Sequence, residues 1–113
     1  PLYNCSTSRL CMDNNRPCSV IRSFDVIGSK WKLIIINDLQ NGEKRFNELK
    51  RSTDASSRTL SRVLDELIEE DIVSKRVEDE APVASYYSLT EKGIELFPVL
   101  EMIDEWGSKW LDL

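Results

Sequence analysis

An α+β domain, mainly helical with one small β-hairpin, is expected for this chain of 113 residues on three features. Apolar residues recur at helical spacing through most of the chain. Two short segments rich in β-branched or aromatic residues, 73–77 and 84–89, flank a polar stretch that holds a proline. The length suits one continuous core and not two, so one domain over 17–113 is expected behind a flexible arm over 1–16.

The elements follow in order. The arm is polar, with Asn14, Asn15 and several Ser or Thr and no sustained period. Pro17 suits the first turn of a helix, and Val20, Ile21, Phe24 and Ile27 follow at helical spacing before Gly28, which places a helix over about 18–27. Within 30–39, Trp31, Ile34, Ile35 and Leu39 fit a buried helix; the Ile run alone is also compatible with a strand, and the Asn41-Gly42 stop favours the helix. A shorter element at 46–50 sets Phe46 and Leu49 on one face, and 52–56 is a turn by composition. The clearest helix comes next, with Leu60, Val63, Leu64, Leu67 and Ile68 at i, i+3, i+4, i+7 and i+8 and Ser56 or Ser57 available as its cap. After Asp71 the period changes to that of the hairpin, whose strands are joined through 78–83. Thr90 then caps a final helical region in which Leu96, Phe97, Leu100, Ile103, Trp106 and Trp110 form an apolar stripe. Pro98 lies inside it and is expected to kink it or to break it into two helices.

Composition narrows the function classes. The chain has no histidine, which removes the usual general base and the commonest metal ligand, and no Gly-rich loop or metal spacing organises its carboxylates. An enzyme is therefore not expected, nor a metal, nor a cofactor. Cys5, Cys11 and Cys18 form no C-x-x-C pair and are odd in number, so they read as free thiols or intermolecular partners. The longest apolar run, 33–36, is far too short to span a bilayer, and residues 1–10 do not read as a signal peptide, so the cytoplasm is the expected location.

The net charge of −5 argues at first against nucleic acid, but its distribution does not. Between residues 44 and 62 lie Lys44, Arg45, Lys50, Arg51, Arg58 and Arg62 against only Glu48 and Asp54, a local net of +4. The acids gather behind this segment, at Asp65, Glu66, Glu69, Glu70 and Asp71, and in the tail from Thr90 onward.

Short helix, turn, amphipathic helix and hairpin, in that order, make the winged helix-turn-helix plan. Four segments, Asp25-Val26-Ile27-Gly28-Ser29-Lys30-Trp31, Arg45-Phe46-Asn47-Glu48-Leu49, Ser57-Arg58-Thr59-Leu60-Ser61 and Ser88-Leu89-Thr90-Glu91-Lys92-Gly93, closely resemble successive signatures of the HxlR family of bacterial and archaeal regulators. Their order and spacing make the resemblance specific, and it runs from Cys18 to about Gly107. It implies a dimeric regulator, more often a repressor than an activator, that binds a pseudo-palindromic operator in duplex DNA and flanks its winged domain with dimerisation helices.

Helical geometry and the resemblance select the same DNA-facing residues. With Leu60, Val63, Leu64 and Leu67 turned inward, Ser57, Arg58, Ser61 and Arg62 lie on the opposite face at the helix's N-terminal end, where a recognition helix meets base edges. Lys44, Arg45, Lys50 and Arg51 are expected on phosphates, and Lys75 and Arg76 at the base of the wing. An ordinary solvated helix face is the plain alternative. The wing departs from the family, because Glu78-Asp79-Glu80 occupies its tip where relatives often carry basic or proline-rich residues. Carboxylates are repelled by phosphate, so the wing is expected to act through its base or to stand away from the duplex.

The final helix has two readings. Trp106 and Trp110 either cover the domain's own core or anchor an interface, and dimerisation through the first and last helices, with Ile21, Phe24, Ile103, Trp106 and Trp110 in contact, reconciles them. Cys18 stands at the position of the family's N-terminal cysteine, which implies an oxidant or electrophile sensor. A helix N-terminus with Arg16 and Arg22 nearby favours a thiolate, although Ser19 replaces the usual Pro, and the alternative is a small residue packed at the dimer contact. A small-molecule or oxidant inducer fits this reading. The competing function is a winged-helix module for protein–protein contact without DNA binding.

Overall fold

The computed structural model describes residues 19–81 and 83–111; the expected arm and Cys18 lie outside them. Helix α1 (Ser19–Ile27) leads into α2 (Lys30–Asp38), and a 3-10 turn (Leu39–Asn41) precedes strand β1 (Lys44–Arg45). Helices α3 (Phe46–Thr53) and α4 (Ser57–Glu69) follow, then strands β2 (Val73–Glu78) and β3 (Ala84–Leu89), and finally helices α5 (Glu91–Ile94) and α6 (Phe97–Trp110).

Local chemistry sets most of these boundaries. Ser29 caps α2 by accepting the Lys32 N–H, and the 3-10 turn ends at Gly42, whose φ of +127° is a conformation that L side chains rarely adopt. The Glu48 carboxylate accepts the Arg45 N–H at 2.9 Å and starts α3, which stops where Asp54 turns left-handed at φ 58°. Of the two serines available to cap α4, Ser56 does so, its hydroxyl accepting the Thr59 N–H at 3.1 Å, while Ser57 is the first helical residue.

The core joins Ile35, Ile36 and Leu39 of α2, Leu49 of α3, Leu60, Val63, Leu64 and Leu67 of α4, Ile72, Val73 and Tyr87. Each fully buried Leu or Ile contributes about 1.5–3 kcal/mol of transfer free energy, and α4 supplies more of them than any other element. On α2 the stripe is shifted from the expected one: Ile36 is fully buried and Ile34 only partly.

The sheet has three strands where a two-stranded hairpin was expected. Its order is β1-β3-β2, antiparallel throughout, with Lys44 opposite Tyr87 and Arg45 opposite Tyr86 on one side of β3, and Lys75 opposite Tyr87 and Arg76 opposite Tyr86 on the other. Two charged residues carry no alternation of their own, so β1 owes its form to its partner strand.

The final helical region breaks, as the proline suggested, but ahead of it. Residues 95 and 96 separate α5 from α6, and Pro98 sits in the first turn of α6, where its missing N–H costs no hydrogen bond. Thr90 ties this region to the sheet: it accepts the Gly93 N–H at 3.1 Å and donates to the Asp71 carbonyl at 2.6 Å. A Cβ at Gly93 would stand 2.5 Å from the Ile72 carbonyl oxygen, so the chain passes there only as glycine.

Candidate nucleic-acid interface

Helix α4 divides cleanly. Leu60, Val63, Leu64 and Leu67 are buried, and Ser57, Arg58, Ser61 and Arg62 are exposed on the opposite face. The exposed set lies in the first two turns, where unpaired N–H groups and the positive end of the helix dipole favour an anion. Among the described residues Arg58 has no carboxylate partner, whereas Arg62 donates through Nη1 to Glu66 Oε1 at 3.0 Å.

The neighbouring helix adds positive charge. Arg45, Asn47, Glu48, Lys50, Arg51, Asp54 and Ala55 line an open concavity of about 1020 Å³ beside the turn that leads into α4. Lys50 and Arg51 are exposed in it, and Arg45, also exposed, approaches the Tyr86 ring at 5.9 Å. Lys44 does not join them. Its side chain is partly buried, with the ammonium 3.0 Å from Asp38 Oδ1, and Asp38 also accepts the Ser52 hydroxyl, so Asp38 of α2 ties Lys44 of β1 and Ser52 of α3 together.

The wing pairs its arginine with carboxylates. Arg76 donates to both oxygens of Glu43, at 2.9 and 3.3 Å, and to Glu78 at 2.6 Å, and its guanidinium stands 4.3 Å from the Tyr86 ring. The hydrogen bond from Arg76 holds the Glu43 carboxyl below the usual carboxylate range, and the bonds to Glu43 and Glu78 push the guanidinium further up. The two carboxylates offset the positive charge that a phosphate would meet at Arg76. Lys75 is exposed, 6.0 Å from the Tyr87 ring, and Glu78, Asp79 and Glu80 are exposed at the tip. The structure therefore places Ser57, Arg58, Ser61 and Arg62 on the exposed face of α4 and Arg45, Lys50 and Arg51 around the concavity beside its first turn, and pairs Lys44 with Asp38 and Arg76 with Glu43 and Glu78.

A second surface is apolar. On α6 only the first turn reaches the core, through Phe97 and Leu100, and beyond it Ile103, Trp106 and Trp110 are 50%, 58% and 66% exposed. The two tryptophans thus do not cover this chain's own core. Ile21 and Phe24 of α1 are exposed as well.

One internal contact went unread in the sequence. Lys32, buried on α2, lies 2.8 and 3.0 Å from the two oxygens of Glu70 and 3.9 Å from Glu66 Oε2. The available signal was its place at i of an apolar i, i+3, i+4, i+7 set with Ile35, Ile36 and Leu39, where a lysine needs a partner.

Known proteins share this sequence and fold. The model of the HxlR-like helix-turn-helix family matches residues 26–113. The HTH-type transcriptional regulator YvaP of Bacillus subtilis is 38% identical over 92 residues, covering 80% of this chain and 85% of its own. YodB of the same organism, also an HTH-type transcriptional regulator, is 34% identical over 100 residues, covering 87% of this chain and 89% of its own. The reduced form of YodB superposes with a TM-score of 0.77 over 84% of this chain and 95% of that one. Structures of YodB treated with diamide and bound to quinone resemble this chain too. The redox regulator HypR in its oxidised form, 39% identical, superposes with a TM-score of 0.74 over 85% of this chain and all of that one. With the winged fold, the exposed basic face of α4 and this match over most of its length, the chain belongs to the HxlR-like helix-turn-helix family of transcriptional regulators.

Proposed function

We propose that this chain binds duplex DNA as a two-fold dimer and represses transcription from a pseudo-palindromic operator in the cytoplasm. The observation that carries this reading is the exposed set Ser57, Arg58, Ser61 and Arg62 at the N-terminal end of a helix whose other face buries Leu60, Val63, Leu64 and Leu67. Arginine there pairs bidentately with guanine or holds phosphate, and the hydroxyls serve either role. Lys50, Arg51 and Arg45 extend the positive surface to phosphates beside the groove. Exposed Ile21, Phe24, Ile103, Trp106 and Trp110 form the dimer contact, which sets two recognition helices about 34 Å apart, one turn of DNA. The acidic tip of the wing stands off the duplex, and Lys75 at its base is its phosphate contact, Arg76 being already paired.

The redox character of HypR, and of YodB in its reduced and diamide-treated forms, supports an oxidant or electrophile response in this chain, with Cys18 as its thiol. The experiment for the whole reading is selection of duplexes from a random pool, followed by footprinting on the selected sequence. Two protected half-sites one turn apart are expected. Failure to retain any duplex at low salt would instead favour a protein–protein module.

A further inference from the structure

Strand β2 is an edge of the sheet. In the order β1-β3-β2 one of its sides is bonded to β3, and no strand among the described residues lies along the other. The ladder tells which residues face that open side. The Thr90 N–H donates to the Ile72 carbonyl at 2.9 Å, and these two residues continue the register in which Val73 stands opposite Leu89. By alternation Ser74, Arg76 and Glu78 turn their backbone groups to β3, while Val73, Lys75 and Val77 turn theirs outward. The register runs from Val73 to Glu78 without a bulge, and residues 74–79 are exposed, Val77 by 47%. Natural edges are usually blunted against pairing, and this one keeps a straight row of free donors and acceptors.

We propose that this edge pairs antiparallel with the same strand of a second copy, about a two-fold axis at Val77, joining two three-stranded sheets into one of six strands. The charge order selects both occupant and register. Lys75 and Arg76 precede Val77, and Glu78 and Asp79 follow it. Centred on Val77, an antiparallel pair sets Lys75 opposite Asp79, Arg76 opposite Glu78, and Val77 opposite its own copy, with the outward backbone groups facing each other. Centring it on Lys75 or Arg76 instead sets two like cations opposite. Among the described residues Lys75 and Asp79 form no ion pair within the chain, so both are free for this one. The contact uses none of the apolar residues of α1 and α6. Only about five residues a side take part, far fewer than the ~20–30 of a stable interface, so it is weak. Lys75 cannot hold phosphate and Asp79 of the second copy together, so the pairing belongs to the protein free of DNA.

Sedimentation of the DNA-free chain tests this. Between about 10 μM and 1 mM the dominant species of the wild type should double in mass, the range that so small a contact allows. Lys75→Glu, which sets a glutamate opposite Asp79, should weaken that doubling by roughly 4- to 30-fold, and so should Asp79→Lys. Mixed in equal amounts, these two variants should pair with each other nearly as the wild type does, because each supplies the charge that the other lost. Trp110→Ala should leave the doubling intact, whether the lighter species is one chain or two. All three substitutions lie at exposed positions and should keep the wild-type far-UV spectrum. A wild type that does not double, a Lys75→Glu chain that doubles like it, or a mixture no better than its parts overturns the proposal. A doubling lost with Trp110→Ala belongs to α6 and overturns it too. None of these outcomes touches the DNA-binding reading, which duplex selection tests separately.

Discussion

Lys32 Nζ lies 2.8 and 3.0 Å from the two carboxylate oxygens of Glu70, joining the first turn of α2 to the C-terminal end of α4. Only 8% of the lysine side chain is exposed against 25% of the glutamate, so the two partners are not equivalent. Removing Glu70 strands a buried ammonium with only the more distant Glu66, and Glu70→Ala should cost about 1–3 kcal/mol of stability. Lys32→Met fills the same space and leaves a carboxylate that water can reach, so it should cost less. Urea unfolding of the two variants checks the order, and a Lys32→Met variant less stable than Glu70→Ala would reverse it.

The clip between sheet and α5 is the second stability test. Thr90→Ala removes both the cap on Gly93 N–H and the bond to the Asp71 carbonyl, and should cost about 1–2 kcal/mol. Gly93→Ala forces a Cβ to within 2.5 Å of the Ile72 carbonyl oxygen and should be worse. A neutral Gly93→Ala in thermal unfolding would show that α5 shifts freely against β2.

The Arg76–Glu43 pair predicts a titration. The Glu43 carboxyl is lowered chiefly by its hydrogen bond from Arg76. Because the folded value lies below the unfolded one, the pair favours the native wing above the ordinary carboxylate range, and that preference is lost as pH falls through the depressed value. NMR titration of Glu43 should give a midpoint below the ordinary one in the wild type and an ordinary midpoint in Arg76→Ala. An identical midpoint in both would remove the pair from solution.

Trp106→Ala and Trp110→Ala should shift the chain toward monomers in sedimentation at micromolar concentration without lowering the helix content, since neither ring lies in the core. A stable wild-type monomer at that concentration would leave the exposed stripe without its assigned partner.

The readable part of this fold was the part that each segment writes for itself. Leu60, Val63, Leu64 and Leu67 declare the inner face of α4, and that alone exposes Ser57, Arg58, Ser61 and Arg62. What stayed hidden depends on partners far along the chain. Strand β1 exists because Tyr86 and Tyr87 pair with it, and Lys44 and Arg76 appear as free cations until Asp38 and Glu43 are placed beside them. Counting positive residues between 44 and 62 therefore found cations that the structure leaves exposed on α3 and α4 and overstated the charge left unpaired, since Lys44 is held by Asp38.

The most direct measurement is the affinity of Arg58→Ala and Arg62→Ala for a duplex selected by the wild-type chain, taken at moderate salt with folding verified. Each should bind about 1–3 kcal/mol more weakly while unfolding like the wild type, the loss expected for an arginine on a base or phosphate. Unchanged affinity in both variants would contradict recognition through α4.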